Sequence, residues 1–176
     1  MTALRKPKHR KSLLRLFSAY VALVFASVGP AVARDSLGMF GTWGAFRDPA
    51  VPRCYAIAMA DPSTLERDYQ PYLAIGTWPR RGERGQVHFR LSRRLAPGAP
   101  ITLSVGGQRF ALVGGGGEAW AADRRADAAI VAAMRSAPAL NLSARDARGR
   151  PFGNSYDLVG AATAMDAATV ACARLR

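Results

Sequence analysis

The chain has 176 residues, and its 25 basic side chains against 12 acidic ones give a formal net charge of +13 at pH 7. A hydrophobic fraction of 49% beside a charged fraction of 21% supplies enough apolar surface for a core. These values exclude a wholly disordered chain, a collagen and a coiled coil, and the length is typical of one domain.

The first 33 residues contain the three parts of a secretory signal peptide. Six basic residues and no acidic residue lie in this segment, an apolar run covers residues 16–28, and Ala31-Val32-Ala33 has the A-x-A pattern of a cleavage site. The apolar run is too short to cross a bilayer as a helix, which takes ~20 residues. We predict cleavage after Ala33 and export to the periplasm, which leaves residues 34–176 as a single domain without a transmembrane helix.

Loss of this segment changes the charge of the chain. Removing its six basic residues lowers the formal charge from +13 to +7 and removes every lysine. Most of the remaining net positive charge lies in one segment whose single acidic residue is Glu83. The arginines of this segment are Arg80, Arg81, Arg84, Arg90, Arg93 and Arg94. Guanidinium groups bind phosphate and carboxylate groups in a bidentate manner, so this segment is a candidate anion-binding site. The alternative is an edge strand with loops that charge keeps soluble.

Strand patterns begin soon after the predicted cleavage site. Residues 34–38 are predicted to form a short flexible leader and residues 39–46 the first strand. Alternation of apolar and polar residues between glycine-rich and proline-rich segments predicts eight further strands. They cover residues 53–60, 72–78, 86–92, 101–105, 109–113, 118–121, 140–144 and 152–158. In the strand over 86–92, Val87, Phe89 and Leu91 are predicted to face the core.

Glycines mark two of the predicted turns. The pair Gly106-Gly107 suits a tight hairpin, because both residues can adopt a positive φ. The four glycines over 114–117 lack the Gly-Lys-Ser/Thr that completes a phosphate-binding loop. We therefore interpret them as a flexible connection between strands.

Two helices complete the predicted fold. Asp123 is a suitable N-cap for a helix through Ser136, and an alanine-rich helix over residues 160–175 closes the chain. Antiparallel strands with one inserted and one C-terminal helix make an α+β fold that is mainly antiparallel β. We expect a compact β-sandwich or half-barrel with the helices capping one end.

The two cysteines, Cys54 and Cys172, both lie in the mature chain, and an even number in an oxidising compartment predicts a disulfide. Cys54 begins an apolar strand, and Cys172 lies on the apolar stripe of the last helix, so both thiols should face the core. Two separate buried thiols are the alternative. These cysteines and His88 do not supply the four ligands of a structural zinc site at a recognisable spacing. We predict no metal and no cofactor.

No catalytic site is predicted. His88 is the single histidine of the mature chain, is expected on the exposed face of its strand, and has no G-x-S-x-G partner. One alternative is a secreted enzyme that binds an anionic envelope substrate through Arg80, Arg81 or Arg90 and uses His88 as its acid or base. Another is a protein that binds anionic lipid or lipopolysaccharide through its arginines.

The segment DAAIVAAMRSA and the closing segment YDLVGAATAMDAATVAC resemble the end of the invasion-associated locus B family of bacterial envelope proteins. The similarity is most specific over residues 127–172. It implies an exported, small β-rich domain without known enzymatic activity, which some members use in host-cell invasion. Members usually carry a cysteine soon after the early tryptophan and more in the middle of the chain, where this sequence has none. The family's disulfide arrangement is therefore not transferred.

Together these patterns predict a non-enzymatic binding or structural module of the bacterial envelope. Its partner is expected to be an envelope protein or an anionic surface. Nucleic acid is not an expected partner, because nearly half of the formal charge belongs to the export segment.

Overall fold

The structure, a computed structural model, describes residues 34–173. The predicted signal peptide over 1–33 lies outside the described residues, as does the end of the predicted last helix. The elements in chain order are β1 (Asp35–Phe40), β2 (Trp43–Asp48), β3 (Arg53–Met59), β4 (Tyr72–Trp78), a 3-10 turn (Pro79–Arg81), β5 (Glu83–Arg90), β6 (Ile101–Val105), β7 (Gln108–Gly115), β8 (Glu118–Ala121), α1 (Arg124–Met134), β9 (Ala139–Arg145), β10 (Pro151–Asp157) and α2 (Ala161–Ala173). Neither helix of the described part is long and apolar enough to span a membrane.

The ten strands form one antiparallel sheet in the order β1-β2-β3-β4-β5-β8-β7-β6-β9-β10. This confirms the predicted α+β class with a mainly antiparallel sheet. The two ends of the open sheet approach each other. A hydrogen bond shows this: Trp43 on β2 donates from its indole Nε1 to the carbonyl of Asp157 on β10 at 2.8 Å. Asp61, after β3, donates from its backbone N–H to the carbonyl of Ser155 at 2.8 Å. Of the two predicted architectures, this curved single sheet matches the half-barrel.

The two helices cover the inner face of the sheet. α2 packs against β1, β2 and β3, while α1 packs against β5 and β8. Val87 and Phe89 on β5 are fully buried in this core, as the alternation predicted. Leu91, just after β5, is also fully buried. The carboxylate of Asp123 accepts a hydrogen bond from the N–H of Ala126 at 2.8 Å, which confirms the predicted N-cap of α1.

The prediction of a flexible leader over 34–38 and one strand over 39–46 is wrong. β1 and β2 are two strands that pair with each other, and the Gly41-Thr42 turn joins them. Gly41 has a φ of +61°, which glycine adopts without strain. Leu37 and Phe40 pack against the core, so β1 is held by partners from distant parts of the chain.

The predicted hairpin at Gly106-Gly107 is confirmed. The two glycines connect Val105 and Gln108, which pair directly across the hairpin. Their φ values are +56° and +76°, so both adopt the left-handed conformation that a two-residue turn of this kind requires.

The predicted disulfide between Cys54 and Cys172 is confirmed. It joins β3 to α2 across 118 residues of sequence, with the two Cα atoms 5.6 Å apart. Both cysteines are buried beside Ala168, so the predicted apolar stripe of the last helix also faces inward. The bond holds the C-terminal helix on the first half of the sheet.

Replacing both cysteines, in a Cys54→Ala/Cys172→Ala variant, should lower the free energy of unfolding by about 4–5 kcal/mol, which the chain-entropy model gives for a loop of this size. Urea denaturation measures the difference. Reductant should bring the wild-type protein to the stability of the double variant and leave the variant unchanged. Equal stability of all samples would contradict a stabilising crosslink.

The core contains one unsatisfied polar group. Tyr156 is fully buried, and its ring packs edge-on against Phe89 with 5.9 Å between the centroids. Among the described residues its hydroxyl has no hydrogen-bond partner. Burial raises the pKa of this hydroxyl and the negative charge of Asp61 adds to the effect, so the group stays protonated. An unpaired buried polar group destabilises a fold by about 1–3 kcal/mol.

Tyr156→Phe should raise the melting temperature, because it removes the unpaired hydroxyl and keeps the ring. We expect a gain of about 1 kcal/mol, at the lower end of the cost of an unsatisfied group. Tyr156→Leu is the matched control and should lower the melting temperature, since it leaves a cavity beside Phe89. A lower melting temperature for the phenylalanine variant would mean that the hydroxyl is hydrogen-bonded in solution.

Candidate functional site

The structure divides the six arginines of the predicted anion-binding segment between the two ends of β5. One group lies before and at its start and comprises Arg80, Arg81 and Arg84. The other lies at and after its end and comprises Arg90, Arg93 and Arg94. Arg84 and Arg90 are six residues apart along β5, which corresponds to roughly 20 Å. The six side chains therefore do not form one continuous surface.

Arginines of the second group bind acidic residues of this chain. The guanidinium of Arg93 lies 3.3 Å from a carboxylate oxygen of Glu66 and 3.6 Å from one of Asp146. Arg90 pairs with Glu118 and lies over the ring of Tyr69, with 3.8 Å from its Cζ to the ring centroid. These two charges are already compensated.

The arginines of the first group are exposed. Glu83, the acid next to them in the sequence, pairs with Arg124 of α1 at 2.8 Å. The alternative interpretation of this segment, an edge strand with loops kept soluble by charge, is wrong for the end of β5, where β4 and β8 pair on its two sides, but β8 reaches only residues 88–90.

A different set of residues lines a cavity of about 510 Å³ on the outer face of the sheet. We call the ring-bearing side chains of this surface the aromatic face, and they are Tyr55, Tyr72, Trp78, His88 and Trp120. They come from β3, β4, β5 and β8, and all are partly exposed. They lie opposite the core because side chains alternate between the two faces of each strand.

Small residues of β4 form the floor of this cavity. The pairing register places Ala74 between Ile57 and His88, and Gly76 between Tyr55 and Gln86. Each small residue therefore has larger neighbours on both sides, and the depression opens over Ala74, because the ring of Trp78 covers Gly76.

The ring of Trp78 lies back over Gly76. A Cβ atom at Gly76 would overlap the six-membered ring of Trp78, so only glycine allows this approach of ring to backbone. Gly76 is buried under the ring, while Trp78 itself is half-buried. The glycine thus sets the position of one wall of the cavity.

His88 is held from three sides. Its ring stacks on Trp120 with centroids 5.2 Å apart and an angle of 18°, and it meets Tyr72 edge-on at 5.7 Å. Its Nε2 lies 2.6 Å from a carboxylate oxygen of Glu118, and an ionised carboxylate can only accept, so Nε2 donates. Nδ1 is then the nitrogen that remains for a ligand. The prediction that His88 lies exposed is only partly right, because 22% of its side chain is exposed to solvent.

Glu118 connects His88 to the end of the Arg-rich segment. One carboxylate oxygen accepts from His88 and the other from Arg90. Burial raises the pKa of the neighbouring Tyr72 hydroxyl, and the charge of Glu118 raises it further. Tyr72 is therefore a hydrogen-bond donor at neutral pH.

The opposite end of the cavity carries positive charge. Arg53 lies over the ring of Tyr55, with its Cζ 5.0 Å from the centroid, and its terminal nitrogen is 3.4 Å from Asp48. Arg34 lies on the rim, and its Nε is 3.5 Å from the same carboxylate. The Nε of Arg53 is buried without a hydrogen-bond partner within residues 34–173. Because this Nε is buried, only the exposed part of the guanidinium is within reach of a ligand in the cavity.

Sequence reasoning did not find this site. It considered His88 and Arg90, but not Tyr55, Tyr72, Trp120 or Arg53, because the residues of the site come from four strands and meet only through the register. The one local signal is the spacing Tyr72, Ala74, Gly76 and Trp78 on β4, in which two small residues alternate with two large rings on one face.

Comparison of the chain with protein-family models, curated proteins and solved structures finds no match. The resemblance to the invasion-associated locus B family therefore stays a prediction.

Replacing Gly76 by alanine should displace Trp78 and lower the free energy of unfolding by about 1–3 kcal/mol, as overpacking usually does. In a Trp78→Ala background the same change should leave the free energy of unfolding almost unchanged, because the overlapping ring is gone. A double-mutant cycle by urea denaturation measures this coupling. Equal costs in both backgrounds would show that another contact restricts Gly76.

Proposed function

We propose that this protein is an exported, non-enzymatic binding module of the bacterial envelope, and that its ligand binds to the aromatic face. Export is supported by the N-terminal pattern and by the disulfide, since structural disulfides form and persist in oxidising compartments. We place the protein in the periplasm on the same grounds.

The observation that carries the binding role is the partly exposed guanidinium of Arg53 at the edge of a cavity lined by aromatic rings. Within the described residues the carboxylate of Asp48 serves both Arg53 and Arg34, so an anionic group of a ligand would complete the charge balance. A mainly apolar concave surface with a few convergent polar groups is also the usual form of a ligand site. The residues of this site come from strands, which hold them in fixed positions.

An enzyme that uses His88 as its acid or base is the second candidate. The 2.6 Å contact between His88 and Glu118 favours it, because a carboxylate orients a catalytic histidine in many hydrolases. The cavity lining contains no serine, threonine, cysteine or lysine to act as a nucleophile within the described residues. Arg80 and Arg81, which this hypothesis needs for substrate binding, do not line the cavity. We therefore favour binding.

A binder of anionic lipid or lipopolysaccharide would use a different surface. Arg90 and Arg93 are paired with acids, so the exposed Arg80, Arg81, Arg84 and Arg94 would have to supply the charge. These cations lie at two separate ends of β5, whereas the rings and the guanidinium of Arg53 line one cavity.

Photocrosslinking in intact cells tests the binding role. A photoreactive amino acid at position 86, where Gln86 lines the cavity, should give ultraviolet-dependent adducts with an envelope component. The same amino acid at position 143 is the matched control, since Ser143 is exposed on β9 away from the cavity. Trp120→Ala should remove the adducts at position 86. Identical adducts at both positions, or none at position 86, would contradict a binding site on the aromatic face.

A further inference from the structure

We propose that the ligand of the aromatic face is an acidic oligosaccharide, with sugar rings on the aromatic side chains and a carboxylate at Arg53. This inference rests on the proposed function and adds the chemical class of the ligand.

The size of the site exceeds that of one sugar. Arg53 and Ile57 are four residues apart on β3, which corresponds to about 13 Å along the strand. Across the sheet, Ile57 on β3 pairs with Ala74, Ala74 pairs with His88, and His88 pairs with Trp120 on β8. Three strand spacings correspond to about 14 Å. A short oligomer of rings can contact both ends, while a monosaccharide cannot.

The walls of the cavity match the two kinds of surface that a pyranose presents. Aromatic faces carry partial negative charge and attract the C–H groups on the apolar face of a sugar ring. Trp78 supplies such a ring beside the cavity floor, and Trp120 supplies a second one, which also stacks on His88. Hydroxyl groups both donate and accept, so they can pair with the amide of Gln86 and the hydroxyl of Tyr72. His88 adds a further polar atom, Nδ1.

Charge distinguishes the ends of the site. Two guanidinium groups, of Arg34 and Arg53, lie at one end against the single carboxylate of Asp48. The net positive charge and the partly exposed guanidinium of Arg53 fit one carboxylate of a ligand. At the other end Glu118 already balances Arg90. A ligand with a carboxylate on one sugar therefore fits better than a neutral one.

The same features argue against single-stranded nucleic acid. A nucleic-acid groove needs cations along the whole backbone. Here the carboxylates of Asp48 and Glu118 lie near the two ends of the site.

Binding to defined oligosaccharides tests the proposal. The full-length protein, purified with its disulfide oxidised, is titrated calorimetrically with a panel of uronic-acid trimers and tetramers and with their carboxyl-reduced counterparts. At least one acidic member should bind about 10 to 100 times more tightly than its reduced counterpart, as expected for a charged hydrogen bond of about 1.5–3 kcal/mol.

Variants locate the two parts of the interaction. Arg53→Gln should abolish the preference for the acidic member and retain weak binding of the ring. Trp120→Ala should weaken the acidic and the reduced sugar alike. Arg81→Gln is the matched control, because Arg81 is exposed and does not line the cavity. Circular dichroism and melting temperatures show whether each variant is folded.

The outcomes separate this inference from the proposed function. If no acidic oligosaccharide binds while position 86 still gives specific adducts in cells, the ligand class is wrong and the binding site stands. If both experiments fail, both proposals are wrong. Equal or tighter binding of a thymidine oligonucleotide or a proline-rich peptide would also overturn the sugar assignment.

Discussion

Alternation of side chains along β5 is the constraint on which the rest of the structure depends. Successive residues of a strand point to opposite faces, so Val87 and Phe89 enter the core only if His88 and Arg90 lie on the outer face. A shift of the register by one residue would exchange the two sets. The pairing that packs the core beneath α1 therefore also fixes the rings on the opposite side of the sheet.

Much of the fold could be predicted, because it follows from local patterns. The Gly106-Gly107 turn, the Asp123 cap and the apolar stripe that contains Cys172 each need only a few neighbouring residues. β1 could not be predicted in this way, since its stability depends on packing against α2 at the other end of the chain. The position of β8 beside β5 depends on long-range pairing for the same reason.

The site was less predictable than the fold. Charge counted along the chain overstated the Arg-rich segment, because Glu66 and Asp146 come from distant segments to compensate Arg93. Residues of the aromatic face are scattered over four strands, so no linear motif reveals them. Gly76 is an instructive case, since its sequence context suggests only a weak strand residue, while the structure shows that it makes room for the ring of Trp78.

The disulfide has a consequence for binding as well as for stability. Cys54 lies between Arg53 and Tyr55, so the covalent bond to α2 anchors the backbone from which both side chains reach the cavity. A backbone held in this way keeps its conformation when a ligand arrives, and little ordering entropy is lost on association. The crosslink therefore preorganises the positive end of the cavity.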